Sequence, residues 1–180
     1  MTKIIFIFGL IAGLICASMF FLFFPEEFSD TNMEYQELIG YTSMIIALST
    51  IFFAVKQYRD KHLGGTIKFG KAFLIGLYIT LIAGTIYTLS WEIYYRNYGE
   101  GFADSYVAQL REGMAADGMT EEAIDEQLAS QEAMMKSYKE NVAVRLGVTF
   151  MEIFPVGLLV SLICALIFGV LLKPKEPSLA

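Results

Sequence analysis

Hydrophobic positions gather into four long runs, Ile4–Phe24, Ile39–Val55, Ala72–Ile93 and Val148–Leu172, with polar stretches between them. An α-helix rises 1.5 Å per residue, so about 20 apolar residues cross the roughly 30 Å hydrocarbon core of a bilayer. Each run meets or approaches that length. The pattern predicts an all-α, polytopic membrane protein with four transmembrane helices. The polar stretch 94–147 is too long for a structureless connection. Phe102, Tyr106, Leu110 and Met114 recur at i+4, and Ile124, Leu128, Met135, Tyr138 and Val142 form a second stripe at helical spacing. With the turn signal Asp117-Gly118 between them, these stripes predict a helical hairpin outside the membrane. Thr120 is placed to cap its second helix, and Glu121 and Glu122 suit the positive end of that helix. The second hairpin helix is expected to run on into the fourth span.

Charge turns four spans into an orientation. The short loop 56–71 carries Lys56, Arg59, Lys61, Lys68 and Lys71 against Asp60 alone. Short loops rich in Lys and Arg stay in the cytoplasm. The Pro25–Leu38 loop carries Glu26, Glu27, Asp30, Glu34 and Glu37 and neither Lys nor Arg, which places it outside. Lys3 at one end and Lys173 and Lys175 at the other keep both termini inside. Four crossings make these assignments agree, and they put 94–147, with ten carboxylates and five basic residues, on the outer face. Trp91, Tyr94, Tyr95 and Tyr98 lie where the third span leaves that face, and Tyr58 and Phe69 flank the inner loop. All are expected in the headgroup zone.

Composition fits this frame: 56% of the 180 residues are hydrophobic and the mean hydropathy is +0.53. One bundle and one modest extramembrane element use up that length. The net charge of −6 is concentrated on one side and is no sign of nucleic-acid binding. The apolar stretch of the first run is longer than the 7–15 residues of a signal peptide and lacks a small-x-small cleavage site, so a retained helix is expected. Cys16 and Cys164 lie inside apolar runs and read as small hydrophobes. Ile15 is too large for a lipoprotein cleavage box before Cys16.

Small residues spaced by four let membrane helices approach closely. Every run has such a stripe: Gly9, Gly13 and Ala17; Ser43, Ala47, Thr50 and Ala54; Gly76, Thr80, Gly84 and Thr88; Gly157, Ser161, Ala165 and Gly169. They predict a compact bundle and leave open whether the stripes meet one another or a second copy. Pro155 should bend the fourth helix near Met151.

Chemistry is sparse. Glu92 and Glu152 are the carboxylates nearest the membrane interior, both at outer ends of their spans. Glu92 extends the Gly84–Thr88 stripe toward the bundle, while Glu152 lies roughly 140° off the Gly157–Ser161 stripe at 100° per residue. One reading is an ion or proton relay. The other is interfacial, with Glu92 paired to Arg96 and Glu152 reaching water or Arg145. His62, the single histidine, has no second metal ligand nearby. No calcium loop, phosphate-cradling glycine motif or nucleophile elbow appears, so no metal, cofactor or catalytic residue is assigned.

The stretch Gly40–Gly76 contains Tyr58-Arg59-Asp60-Lys61, then Gly64-Gly65 and Phe69-Gly70-Lys71. It resembles a bacterial four-span membrane family catalogued as domain of unknown function 4199, whose layout also has an acidic external hairpin before the last span. The resemblance implies this topology and supplies no activity. It draws attention to Arg59, Lys61, Lys68 and Lys71 as contacts for anionic lipid or a cytoplasmic partner. The expected function is a non-enzymatic protein of the bacterial cytoplasmic membrane acting through protein or lipid contacts. The alternative is a small transporter or channel subunit using the outer-face carboxylates. Partners are the lipid bilayer and a membrane protein or second copy.

Overall fold

The computed structural model describes residues 1–23, 33–99 and 101–172, and all of its regular structure there is helical. In order along the chain come α1 (Thr2–Phe23), α2 (Met33–Leu48), α3 (Thr50–His62), α4 (Phe69–Tyr98), α5 (Phe102–Ala116), α6 (Glu121–Glu140) and α7 (Val142–Leu166), followed by a π-helical turn at Ile167–Leu171. Four helical segments are long and apolar enough to cross a membrane: Thr2–Phe23, Tyr35–His62, Phe69–Tyr98 and Val142–Leu171. A helix suits that medium because it satisfies every backbone N–H and C=O within the segment. The last three outrun the apolar stretches that predicted them. Hydropathy drops at the first charged residues, whereas backbone hydrogen bonding continues through them. Lys56, Arg59 and Lys61 therefore stand on the last turns of α3 and not in a loop. The Pro25–Leu38 loop lies mostly outside the described residues, as do Lys173 and Lys175, while Tyr35–Leu38 belongs to α2.

The central helix is α4, packed against α1 on one side and α7 on the other, with α2 and α3 completing the ring between α1 and α7. The small-residue stripes meet within the chain. Gly9 and Gly13 of α1 receive Ile82 and Ile86 of α4; Gly76 of α4 lies against Ser161, and Gly157 of α7 against Thr80. Gly84 faces Phe150 and Ile153. Close packing replaces the hydrophobic driving force that is missing between helices in lipid. The tightest approach is to backbone: a methyl group on Gly169 would lie 2.6 Å from the Cα of Phe69 at the start of α4. Gly169 sits in the π-helical turn, whose wider ring closes with Leu172 N–H donating to the Ile167 carbonyl at 2.9 Å.

Helices α2 and α3 form one span interrupted at Ser49. There Ser49 donates from Oγ to the Ile46 carbonyl at 2.6 Å, and Thr50 from Oγ1 to Ala47 at 2.7 Å. Such back-bonding to the preceding turn competes with the helix ladder and bends helices. Below the interruption α3 touches both α4 and α7; above it α2 packs on α1 and α7. Helix α7 continues through Pro155 as one element.

Helices α5 and α6 form an antiparallel pair joined at Gly118, which adopts the left-handed φ of +80° that glycine permits. Ile124 and Leu128 are buried, whereas Val142 at the end of the expected stripe is exposed. Thr120 occupies the cap position of α6 but makes no side-chain capping bond. The cap that forms is Asn141, whose Oδ1 accepts from Ala143 N at 2.9 Å and Val144 N at 3.4 Å. It separates α6 from α7 where a continuous helix was expected. The aromatic residues at the end of α4 also pack against the protein. Trp91 and Tyr94 are buried, with Phe20 ring centroids 5.1 and 6.1 Å away, and Phe102 of α5 stands 5.3 Å from Trp91. The hairpin folds over this end of α4 through Phe102 and Tyr138, so Trp91 joins a protein core with Tyr94 beside it.

Gly169→Ala should destabilise the protein by about 1–3 kcal/mol, the usual cost of forcing volume into a packed site. Gly40, where an added methyl would meet nothing within 4 Å, is the control. Gly40→Ala should leave stability unchanged or raise it slightly, because glycine is a poor residue inside a helix. Thermal unfolding of the two variants in detergent checks the contrast.

Candidate functional site

The polar chemistry of the described residues concentrates where the hairpin meets the bundle. Glu92 on α4 and Arg145 on α7 are 7% and 4% exposed. Arg145 donates from Nε to Glu92 Oε2 at 2.6 Å and from Nη2 to Oε1 at 3.0 Å, a two-pronged pairing that matches guanidinium to carboxylate. Arg96, one turn along α4, adds Nε to Glu92 Oε1 at 2.7 Å. The remaining prong of Arg145, Nη1, donates to the carbonyls of Tyr138 at 2.7 Å and Lys139 at 3.3 Å, at the end of α6. Its plane lies 4.2 Å from the Tyr95 ring centroid. One side chain thus ties together α4, α6 and α7. A buried charge is tolerated only when paired and hydrogen-bonded throughout, and this one is.

Tyr138 makes a second tie. Trp91 donates from Nε1 to the Tyr138 hydroxyl at 2.5 Å. Burial is the main influence on the Tyr138 phenol and pushes its pKa above the ordinary range, so it stays neutral. Exposed pairs, Lys139 with Asp104 at 2.8 Å and Arg111 with Asp125 at 2.8 Å, link α5 to α6 and contribute little each.

Under the hairpin lies a cavity of about 310 Å³. Its floor is Met19, Phe20, Tyr87 and Trp91; Phe102 and Tyr106 of α5 and Met135 and Tyr138 of α6 form its lid. The α2 wall presents Gln36, Gly40 and Met44, a single face at i, i+4 and i+8. Glu152 on α7 and Glu37 on α2 supply carboxylates. Tyr87 donates from its hydroxyl to Glu152 Oε2 at 3.1 Å. Glu152 also lines a second, open groove of about 740 Å³ along α7, walled by Val144, Val148, Met151, Pro155 and Val156. The carboxylate stands where cavity and groove join. Gln36 is 6% exposed, and neither its amide nitrogen nor its carbonyl oxygen has a hydrogen-bond partner among the described residues.

Glu92 and Glu152 thus share one end of the bundle but do different work. Glu92 is held by Arg145 and Arg96, and Glu152 is held by Tyr87 on the cavity wall. Arg145 pairs with Glu92 and not with Glu152. At the opposite end, the four basic residues also part company. Arg59 pairs with neighbouring Asp60 at 2.7 Å and stacks 4.9 Å from the Phe168 ring centroid of the π-helical turn. Lys71 lies 5.6 Å from the Tyr58 ring centroid, and Lys61 and Lys68 are exposed. His62 stacks on Tyr58 at 5.2 Å, and no group of three metal-ligating side chains occurs among the described residues. Sequence reasoning missed Gln36, Tyr87 and the cavity itself. The one signal was the pair Gln36 and Gly40 on one face of α2, polar and small where a packed stripe would be apolar.

Four bundled helices of spanning length, with a helical hairpin folded over one end, define a multi-pass membrane protein. A family model described as a protein of unknown function, DUF4199, matches residues 7–169, and the chain belongs to that family. Comparison with the curated proteins and with the solved structures finds no match.

Glu92→Gln should cost about 3–5 kcal/mol, because it leaves Arg145 buried without its counter-charge. The double variant Glu92→Gln, Arg145→Gln should recover part of that loss. Thermal unfolding of the three proteins in detergent measures both steps.

Proposed function

We propose that this chain is a non-enzymatic protein of the bacterial cytoplasmic membrane that acts through protein or lipid contacts made at the hairpin end of its bundle. Both termini lie in the cytoplasm and the hairpin α5–α6 lies outside. The basic side chains at 56–71 and the acidic ones at 25–38 support that orientation through the positive-inside rule. The single observation that carries the contact reading is the cavity between hairpin and bundle. It shares Tyr41, Met134, Val148 and Glu152 with the open groove along α7, a path by which a bound group reaches it from the side of the bundle. Arg59, Lys61, Lys68 and Lys71 form a second, basic contact surface at the cytoplasmic end for anionic headgroups or a partner. The carboxylates favour a second reading, a small transporter or channel subunit, because Glu152 faces the cavity and has no cationic partner among the described residues.

Orientation is tested with single cysteines in a protein whose Cys16 and Cys164 are replaced by alanine. A membrane-impermeant maleimide should label Asp117→Cys on intact cells and Thr66→Cys only after lysis; the reverse pattern would refute the assignment. Photo-crosslinking from position 134, on the exposed face of α6 beside the groove, should capture a discrete component of native membranes. Ion flux through purified protein in liposomes, lost in Glu152→Gln, would replace the contact reading with the transport one.

A further inference from the structure

The four apolar runs hold two charged residues, Glu92 and Glu152, and neither lysine nor arginine. Glu92 is buried and held by Arg145 and Arg96. Glu152 is different. Its side chain is exposed on the flank of the bundle, roughly 6 Å inside the hairpin end of its run at 1.5 Å per residue. Oε2 accepts from Tyr87 at 3.1 Å, and no bond to Oε1 occurs among the described residues. A carboxylate on the outer surface of a span is costly, and such groups are kept for a partner or a path.

A second acceptor stands beside it. Pro155 has no N–H, so the Met151 carbonyl one turn earlier lacks its ordinary helical donor. In lipid an unpaired carbonyl is costly as well. Met151, Glu152 and Pro155 all line the open groove along α7. The rest of that groove is mainly apolar, and no lysine or arginine occurs among the described residues that line it. Val144, Val148, Met151 and Pro155 follow one another at i, i+4, i+7 and i+11, which is one face of α7 over about 16 Å. Gly147 opens onto the same groove, and an added methyl there would meet nothing within 4 Å. An apolar strip of this length is the footprint of a helix, and its two acceptors call for a donor with positive charge.

We propose that this strip docks a membrane-spanning helix of a different protein, one that carries a lysine or arginine about one turn inside the end level with the hairpin. The cation donates to Glu152 and to the Met151 carbonyl, while apolar side chains of the same helix lie along the valines. A second copy of this chain does not fit, because none of its apolar runs has a basic residue to offer at that depth. The proposal rests on the contact reading above and names the chemistry of the partner.

The test uses the full chain with Cys16 and Cys164 replaced by alanine and an acceptor dye on Asp117→Cys. It is reconstituted in phosphatidylcholine vesicles with a donor-labelled synthetic helix of about 24 leucine and alanine residues, long enough to span. One lysine stands about one turn inside the labelled end. Saturable energy transfer is expected from this helix, and only the level of random mixing from the same helix with leucine in place of lysine. Glu152→Gln keeps an oxygen for the Tyr87 hydroxyl, so its thermal unfolding should be unchanged while association weakens about tenfold, the scale of one polar contact between helices in lipid. Glu152→Lys should instead associate with a helix that carries glutamate at the lysine position. Equal transfer from the lysine and leucine helices, undiminished transfer to Glu152→Gln, or failure of the charge swap overturns the proposal. So does transfer of the same strength from a donor-labelled second copy of this chain, or its collapse when phosphatidylethanolamine replaces part of the phosphatidylcholine, which would assign the strip to a lipid head group. If crosslinking from position 134 still captures a component of native membranes in those cases, the contact reading stands and the charged-helix assignment alone is lost.

Discussion

A single buried guanidinium decides how this molecule closes. Arg145 arises at the start of α7, reaches Glu92 on α4 with two prongs and the end of α6 with the third. Without it the hairpin would be joined to the bundle mainly by ring contacts and the Trp91–Tyr138 hydrogen bond. With it, leaving either charge alone in the interior is costly, so hairpin and bundle are held in one arrangement. The burial of Trp91 and Tyr138 follows from that closure.

The cavity follows from a second feature, the irregularity at Ser49. Small residues let α1, α4 and α7 pack at close range, and α3 joins them below the interruption. Above it α2 borders a space that the lid covers but does not fill. Gly40 there meets nothing that an added methyl would touch, in contrast to Gly76, Gly157 and Gly169, each seated against a neighbour. The same residue type thus serves packing on three helices and open volume on the fourth. Only the identity of the facing element separates the two uses.

Much of the architecture was legible because it depends on chain-local physics. A bilayer enforces long helices, and run length alone exposes them. The hairpin was legible from two stripes and a glycine turn. Legibility failed where a contact joined distant segments. Glu92 with Arg96 at i+4 could be read; Glu92 with Arg145, 53 positions away, could not. Trp91 and Tyr94 were assigned to a lipid interface because aromatic residues at a span's end usually lie there. That Phe102 and Tyr138 of the hairpin would pack on Trp91 could not be read, because the hairpin was known only as a hairpin, without a docking site. Thr120 and Asn141 show the same limit at smaller scale: both residue types can cap a helix, and only backbone geometry chose between them.

By itself the sequence determined that this is an all-α protein with four spans and a hairpin, since hydrophobic period and run length are properties of contiguous residues. The tertiary structure decided which glycines pack and which leaves a void. It also decided that Glu92 is neutralised while Glu152 faces a cavity, and that Gln36 is buried without a partner among the described residues. Those outcomes depend on which helix faces which, and each is set by the combined packing of several helices and the hairpin.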